Sequence, residues 1–299
     1  MGQAVGECPT QYLMELGFAD QNLDWRAITA EVRSEDLLAA MDGALAMGFR
    51  GLRFWGDTQI IASELLGLDG LPVSSAVATE SGWKAWHTDG FVLPDLLDSE
   101  HGGSGVKSMD RPLSIALFGD TEQTRRIYGG LLNKYAVPDV AERDVQVDWV
   151  GVSADVVPAE PRLRTFENES EFIAERSSGD MERLSCLVGC APQVAQQFAS
   201  ARLTLDDGEA ALSSESEDSV MSVSDPVDTG STGSGPVRWL PSADEVLSRP
   251  VEQTSSGAVQ RISRVDLMLS GEQFDFGLWT GQAISPVMLR DAFDEFNAF

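Results

Sequence analysis

The sequence predicts an α/β protein built as two domains. Strand-like and helix-like segments alternate over roughly the first 90 residues, which is the pattern of an α/β domain. Between residues 113 and 152 an apolar run, a helical stretch and a second apolar run make a βαβ unit. Between these two regions, residues 100–110 carry the Gly/Ser-rich run HGGSG, a candidate hinge.

Each element has a local reason. Ser34 is placed to cap a helix, with Glu35 and Asp36 in its first turn, where the helix dipole favours negative charge. Leu37, Leu38, Met41 and Leu45 then recur at helical spacing up to Gly48. A short strand-like run, Leu52 to Trp55, precedes a helix through Ile60, Ile61, Leu65 and Leu66. Residues 73–79 and 83–87 read as two short strands around the turn Glu80-Ser81-Gly82. In the second half, the run at 113–118 ends at Gly119-Asp120, a helix covers 121–135, and strands are predicted at 145–152, 184–188 and 202–205. Residues 206–236 are rich in Ser, Gly, Asp and Glu and contain no Lys or Arg. Such a composition buries too little apolar surface to offset its ordering entropy, so it reads as a disordered acidic insertion. Order returns at Trp239, and Ser285-Pro286 starts the last helix with an N-cap followed by Pro at the first helical position.

Composition narrows the function. At 42% hydrophobic residues the chain can bury a real core. Its formal net charge of -27 repels phosphate backbones and anionic lipid, so neither nucleic acid nor a membrane surface is expected as a partner. No run of about 18 apolar residues offers a membrane span, and the first residues lack the basic and apolar regions of a secretory signal. Three cysteines, Cys8, Cys186 and Cys190, fit a reducing cytoplasm better than a disulfide scaffold. Cys186 and Cys190 have no His or third Cys nearby to complete a tetrahedral site, so no metal is expected.

Three islands of sequence carry a family resemblance. The first is Met268-Leu269, Phe276 and Leu278-Trp279-Thr280-Gly281, followed by PVMLRDAF. The second is Gly48-Phe49-Arg50-Gly51. The third is Ala76-Val77-Ala78-Thr79 followed by His87-Thr88-Asp89-Gly90. In this order and spacing they resemble shikimate dehydrogenases, whose matching stretches read close to ML..Q...FELWTG, GFKG, and AVNT with NTDG. The resemblance spans most of the chain apart from the acidic insertion and residues 155–180. It implies an N-terminal α/β substrate-type domain, residues 1–100 and 282–299, to which the C-terminal helix returns. It implies a Rossmann-like NAD(P)-type domain over residues 101–281, holding the insertion at 206–236, with the active cleft between the two. Shikimate dehydrogenases reduce 3-dehydroshikimate to shikimate with NADPH, in aromatic amino-acid biosynthesis. Their Lys and the Asp of NTDG handle the proton at the reacting hydroxyl. The resemblance leaves the family's first strand without a counterpart, so that strand is either absent or encoded upstream.

Carried onto this sequence residue by residue, the resemblance retains some of the site and loses more. Asp89 stands at the catalytic Asp; it either binds substrate hydroxyls or caps a helix over 91–97. Gln59 stands where the family has its Lys, and an amide cannot exchange a proton near neutrality. Lys84 differs in parity from Asp89 along the predicted strand, so it faces the other way. Thr79 and Thr88 survive as substrate-binding candidates, while Ala78 and His87 replace two Asn residues. His87 is either packed and hydrogen-bonded or an acid/base partner of Asp89. Gly6-Glu7-Cys8-Pro9 stands where two hydroxyls of SxSP hold the substrate carboxylate, and Glu7 would repel that anion. Of the nucleotide loop GAGGA only Gly119 remains, in Phe118-Gly119-Asp120-Thr121-Glu122, and it is the one cofactor-binding candidate. Ser153-Ala154-Asp155 supplies no base for a 2'-phosphate. The family's Gln on the ML helix falls on Gly271, Glu272 or Gln273.

These losses predict a degenerate paralogue acting as a binding or assembly protein, with no cofactor. The alternative is an NADP-dependent shikimate dehydrogenase with divergent loops. A third reading is a changed enzyme using His87 and Asp89.

Overall fold

The apolar run at 113–118 lies at the centre of a six-stranded sheet. The computed structural model describes residues 1–2, 8–68, 70–99, 113–135, 145–152, 163–177, 184–191, 193–195, 197, 237–240 and 259–298. The predicted hinge, the strand candidate at 202–205 and the acidic insertion lie outside these. The chain divides into two compact units. One comprises Met1–Gly102, Thr121–Glu142 and Ser263–Phe299, the other Gly103–Asp120 and Arg143–Ile262.

The second unit is built on strands β4 (Leu113–Phe118), β5 (Val145–Val150), β6 (Leu163–Phe166), β7 (Leu184–Val188), β8 (Val237–Leu240) and β9 (Val259–Arg261). They pair in the order β6-β5-β4-β7-β8-β9, and every pairing is parallel. Starting from the centre, the first three strands run outward on one side and the next three on the other, which is the doubly wound order of Rossmann-like domains. Every residue of β4 is buried, because a central parallel strand is covered on both faces. Helix α6 (Glu169–Ser177) packs Phe172 against Phe118 and Phe166. It also sends Arg176 to the fully buried Asp148 of β5, and Arg164 of β6 pairs with the same carboxylate at 2.8 Å. Cys186 and Cys190 are buried thiols, as their apolar context implies.

In the first unit the predicted hairpin is present. Strand β1 (Gly51–Arg53) pairs antiparallel with β2 (Ser75–Thr79), which pairs antiparallel with β3 (Gly82–Trp86). Gly82 turns the hairpin at φ 115°, a conformation that L side chains rarely adopt. Beside β1, Gly2 makes isolated parallel bridges to both Glu31 and Trp55. The helices are α1 (Thr10–Asp20), α2 (Leu37–Ala46), α3 (Thr58–Leu65), α4 (Thr88–Ser99), α5 (Glu122–Tyr135), α7 (Arg264–Thr280) and α8 (Pro286–Phe296). Ser34 does not cap α2 directly. It opens a short 3-10 turn, Ser34–Asp36, that leads into the helix. The cap at Ser285 is made as expected, its hydroxyl accepting from the Met288 N–H.

Helix α8 returns to the first unit, where Leu289 and Ala292 join Leu13, Met14, Phe18 and Phe276 in one core. Two elements are grouped differently from the sequence expectation. Helix α5 and the whole of α7 belong with the first unit rather than the second. For α5 the reason is glycine. A Cβ on Gly90 would lie 1.9 Å from the Ile127 carbonyl oxygen, and one on Gly130 would lie 2.2 Å from that of His87. Only glycine lets the α4 and α5 backbones approach so closely.

Candidate functional site

The candidate site forms in the first unit around two arginines. Strand β1 carries the first, Arg53, and α5 carries the second, Arg126.

Arg53 is nearly buried and meets two fully buried acids of α7. It pairs with Asp275 and lies 3.6 Å from Glu272. Asp275 is further held by hydroxyl donors, Ser75 at 2.7 Å and Thr88 at 3.1 Å. Glu272 accepts from Thr10 at 2.6 Å through one oxygen, while its Oε2 is buried with no hydrogen-bond partner among the described residues. Gly271 lies against the same cluster, since a Cβ there would be 3.2 Å from the Thr88 methyl and 3.5 Å from Arg53 Nη2. Burial pushes both carboxyls above their ordinary range, with Arg53 pulling them back. Burial also works against the guanidinium, but Glu272, Asp275 and Asp89 outweigh it and hold Arg53 above its ordinary value. Two acids on one dry cation leave one charge over. Asp275 has three donors and is the better carboxylate, so Glu272 is the better holder of the remaining proton.

Arg126 joins the two positions that matter most in the resemblance. Its Nη1 donates to Gln59 Oε1 at 2.8 Å, and its Nε lies 3.3 Å from Asp89 Oδ2, an ion-pair distance without hydrogen-bond geometry. Glu122, one turn back on α5, flanks it at 3.5 Å. Gln59 is buried in the first turn of α3, where its amide donates to the Phe54 carbonyl at 2.9 Å. Gln59 and Asp89 therefore both lie on the Arg126 guanidinium.

The other candidates fall elsewhere. Asp89 lies in the first turn of α4, which starts at Thr88 rather than at 91. The strand ends at Trp86, so the parity comparison of Lys84 with Asp89 does not apply. Lys84 lies over the Trp86 ring at 4.8 Å. His87 is buried, its Nδ1 is 2.7 Å from the Pro72 carbonyl oxygen, and its ring lies against Gly129 of α5. Burial lowers its pKa, so it is a neutral packed imidazole. Thr88 is buried in the Arg53 cluster, but Thr79 is exposed and donates to the Gly82 carbonyl at 2.7 Å, which makes it a hairpin residue. Gly6 and Glu7 lie outside the described residues, as does Asp155, while Cys8 donates to Thr10 at 3.3 Å. Gly119 does adopt the left-handed backbone of a turn glycine, φ 75°. Its carbonyl accepts from the Trp149 indole at 2.9 Å.

Sequence reasoning missed Arg126, Asp275 and Ser75, and left Glu272 as one of three options. Arg126 sits four residues after Glu122 on a predicted helix, which reads as an ordinary surface pair. The Arg53–Asp275 contact joins residues 222 positions apart.

No protein-family model matches this sequence, and no curated relative does. Solved structures match over nearly its full length. Shikimate 5-dehydrogenase of Listeria monocytogenes, solved with shikimate and NAD, aligns at TM-score 0.60 and 12% identity, covering 98% of this chain and 94% of that one. Shikimate dehydrogenase of Mycobacterium tuberculosis aligns at 0.56 and 15%, covering 98% and 96%. The 5-ketofructose reductase of a Gluconobacter species aligns at 0.62 and 14%, covering 100% and 96%. The chain has the two-domain α/β fold of shikimate dehydrogenase-like oxidoreductases. At these identities the likeness is one of fold.

Proposed function

We propose that this chain is a shikimate dehydrogenase-like protein that does not run the dehydrogenase reaction and serves as a binding or assembly protein. One observation carries the reading: the Arg126 guanidinium lies between Gln59 and Asp89, where the family places Lys and Asp. A guanidinium does not give up its proton near neutrality, and an amide has none to exchange. Neither can take a proton from a hydroxyl and return it. The second arginine is committed too. Arg53 is already paired with Asp275 and enclosed beside Glu272, so it offers little to a substrate carboxylate, and Asp89 and Glu122 nearby oppose an anion.

A dinucleotide also fits poorly. Pyrophosphate binding needs close backbone approach and free N–H groups at a helix start. Here the first turn of α5 carries Glu122, and the Thr124 N–H is taken by the Thr121 hydroxyl at 3.1 Å. Gly119 stands alone where the family has several glycines. Against the changed-enzyme reading, His87 is held by Pro72 rather than by Asp89. No helix among the described residues is long and apolar enough to cross a membrane, and we place the protein in the reducing cytoplasm with no nucleic-acid or membrane partner.

Calorimetry tests the binding side. Titrating shikimate and NADPH separately into the protein should give no saturable heat up to millimolar ligand. A ligand at about 100 times its Kd stabilises by roughly 2.7 kcal/mol, so a parallel thermal melt should not shift either. Submillimolar binding of NADPH or shikimate would restore the alternative, an NADP-dependent shikimate dehydrogenase.

A further inference from the structure

The chain carries 48 Asp and Glu against 21 Lys and Arg, a net charge of -27. Residues 206–236 hold eight of those acids and no base, so the rest of the chain still stands at -19. In the first unit most cations are already committed. Arg53 is held by Asp275 and Glu272, Arg126 by Asp89 and Glu122, and Lys134 by Asp95. Arg33 pairs with Glu35 and Asp36, and Arg290 with Asp266. Many exposed acids have no such partner. Asp42, Glu64, Glu80, Asp291 and Asp294 make no ion pair among the described residues.

Their positions make the repulsion local. The last carbonyls of a helix carry partial negative charge, so a base in the last turn is favoured and an acid is opposed. Three helices of this unit end on acids: α1 on Asp20, α3 with Glu64, and α8 with Asp294 and Glu295. All four side chains are exposed, and none of the three helices has a base in its last turn. On α8 the opposition is compounded. Asp291 lies three and four residues before Asp294 and Glu295, the spacing at which like charges on one helix face repel.

What seats α8 against this is modest. Only Leu289 and Ala292 are buried, with Met288 and Phe293 partly buried beside them, and Val287 in the first turn is exposed. The Tyr12 hydroxyl of α1 donates to Glu295, and Arg290 reaches Asp266 of α7. Yet α8 covers Leu13, Met14 and Phe18 of α1 and Phe276 of α7. The same α7 holds Glu272 and Asp275 against Arg53.

We propose that the seating of α8 is conditional on salt. In dilute buffer the acids at its end loosen it from α1 and α7, and monovalent salt restores it by screening, with no ion bound at any one position. The screening length is about 30 Å at 0.01 M salt, longer than the roughly 17 Å of an eleven-residue helix, and about 3 Å at 1 M, shorter than the spacing of neighbours on a helix face. The inference is independent of whether the Arg126 site is catalytic.

Thermal melts and hydrogen exchange in a KCl series test it. The melting temperature should rise by roughly 5–10 °C from about 10 mM to about 1 M KCl. NaCl and tetramethylammonium chloride should give the same rise. Amide protection should grow several-fold over that range in α8, and more there than in β4. Two double variants separate a local from a general effect of charge. Asp291→Lys with Asp294→Lys, and Asp42→Lys with Glu80→Lys, each bring the chain to -23, and all four side chains are exposed, so both should fold. The α8 pair should remove most of the salt dependence of α8 protection; the other pair should leave it in place. A melting temperature that is flat or falls with KCl, one cation acting alone, α8 protection indifferent to salt, or equal effects of the two double variants would each overturn the proposal.

Discussion

At the scale of single residues, Arg53 is the clearest case of a charged side chain held inside the structure. Its guanidinium sits among Asp275, Glu272 and their hydroxyl partners, with solvent largely excluded. Removing one partner of a buried ionic cluster leaves uncompensated charge, which typically costs about 3–5 kcal/mol. Arg53→Met should lose that much in urea unfolding at pH 7. Glu272→Gln is expected to be nearly neutral below the ordinary carboxyl range, where the amide mimics the protonated acid, and stabilising at pH 7, where the parent's unfolded state alone gains from ionisation. The pH dependence has a definite sign. Burial raises the folded-state pKa of Glu272 and Asp275 above their unfolded values, so the folded state binds the extra proton. Their contribution is fully present below the ordinary carboxyl range and is lost as pH rises through the folded pKa. Stability from this cluster therefore falls on going from mildly acidic to neutral pH. Urea melts of Glu272→Gln across that range should show a flatter profile than the parent; an unchanged slope would mean that Glu272 is ionised throughout. None of this pairing was legible in the sequence. The acids lie more than 200 residues from Arg53, and only the tertiary fold brings α7 to β1.

At the scale of elements, local chemistry carried further. The turn at Glu80-Ser81-Gly82, the Ser285-Pro286 helix start and the apolar run of β4 each announced the element that forms. They rest on short-range rules of backbone conformation and periodicity. The placing of α5 did not, because it depends on a close approach between glycines 90, 129 and 130 and their neighbours across two helices. The α4–α5 contact yields a paired prediction. Gly130→Ala puts a methyl where the His87 carbonyl oxygen and the Phe91 N–H already stand, at 2.2 and 2.4 Å, so backbone must move. A loss of about 3 kcal/mol or more is expected from such overpacking. Gly43→Ala, mid-helix in α2 with open space around it, should instead gain roughly 0.5–1 kcal/mol from helix propensity. Thermal melts of the two variants should move in opposite directions; a harmless Gly130→Ala would mean that α5 is not seated on α4 as described.

At the scale of the whole molecule, we propose that a fold and its chemistry have separated. The doubly wound sheet and the returning C-terminal helix are those of shikimate dehydrogenase-like oxidoreductases, and the fold class was readable from three sequence islands because they mark turns and helix packing. Where shikimate dehydrogenases carry a Lys, two hydroxyls and a glycine-rich loop, the resemblance sets Gln59, Gly6 and Cys8, and Phe118-Gly119-Asp120-Thr121-Glu122, single side chains that those islands do not protect. The losses compound, since a missing general acid/base alone typically costs about 10²–10⁴ in rate. Restoring Lys at position 59 by itself should recover nothing, with Arg126 still paired to Asp89. The most direct measurement is a spectrophotometric assay of the unmodified protein with shikimate and NADP, and in reverse with 3-dehydroshikimate and NADPH. The account predicts no substrate-dependent change in NADPH in either direction; steady turnover that disappears in Asp89→Asn would contradict it.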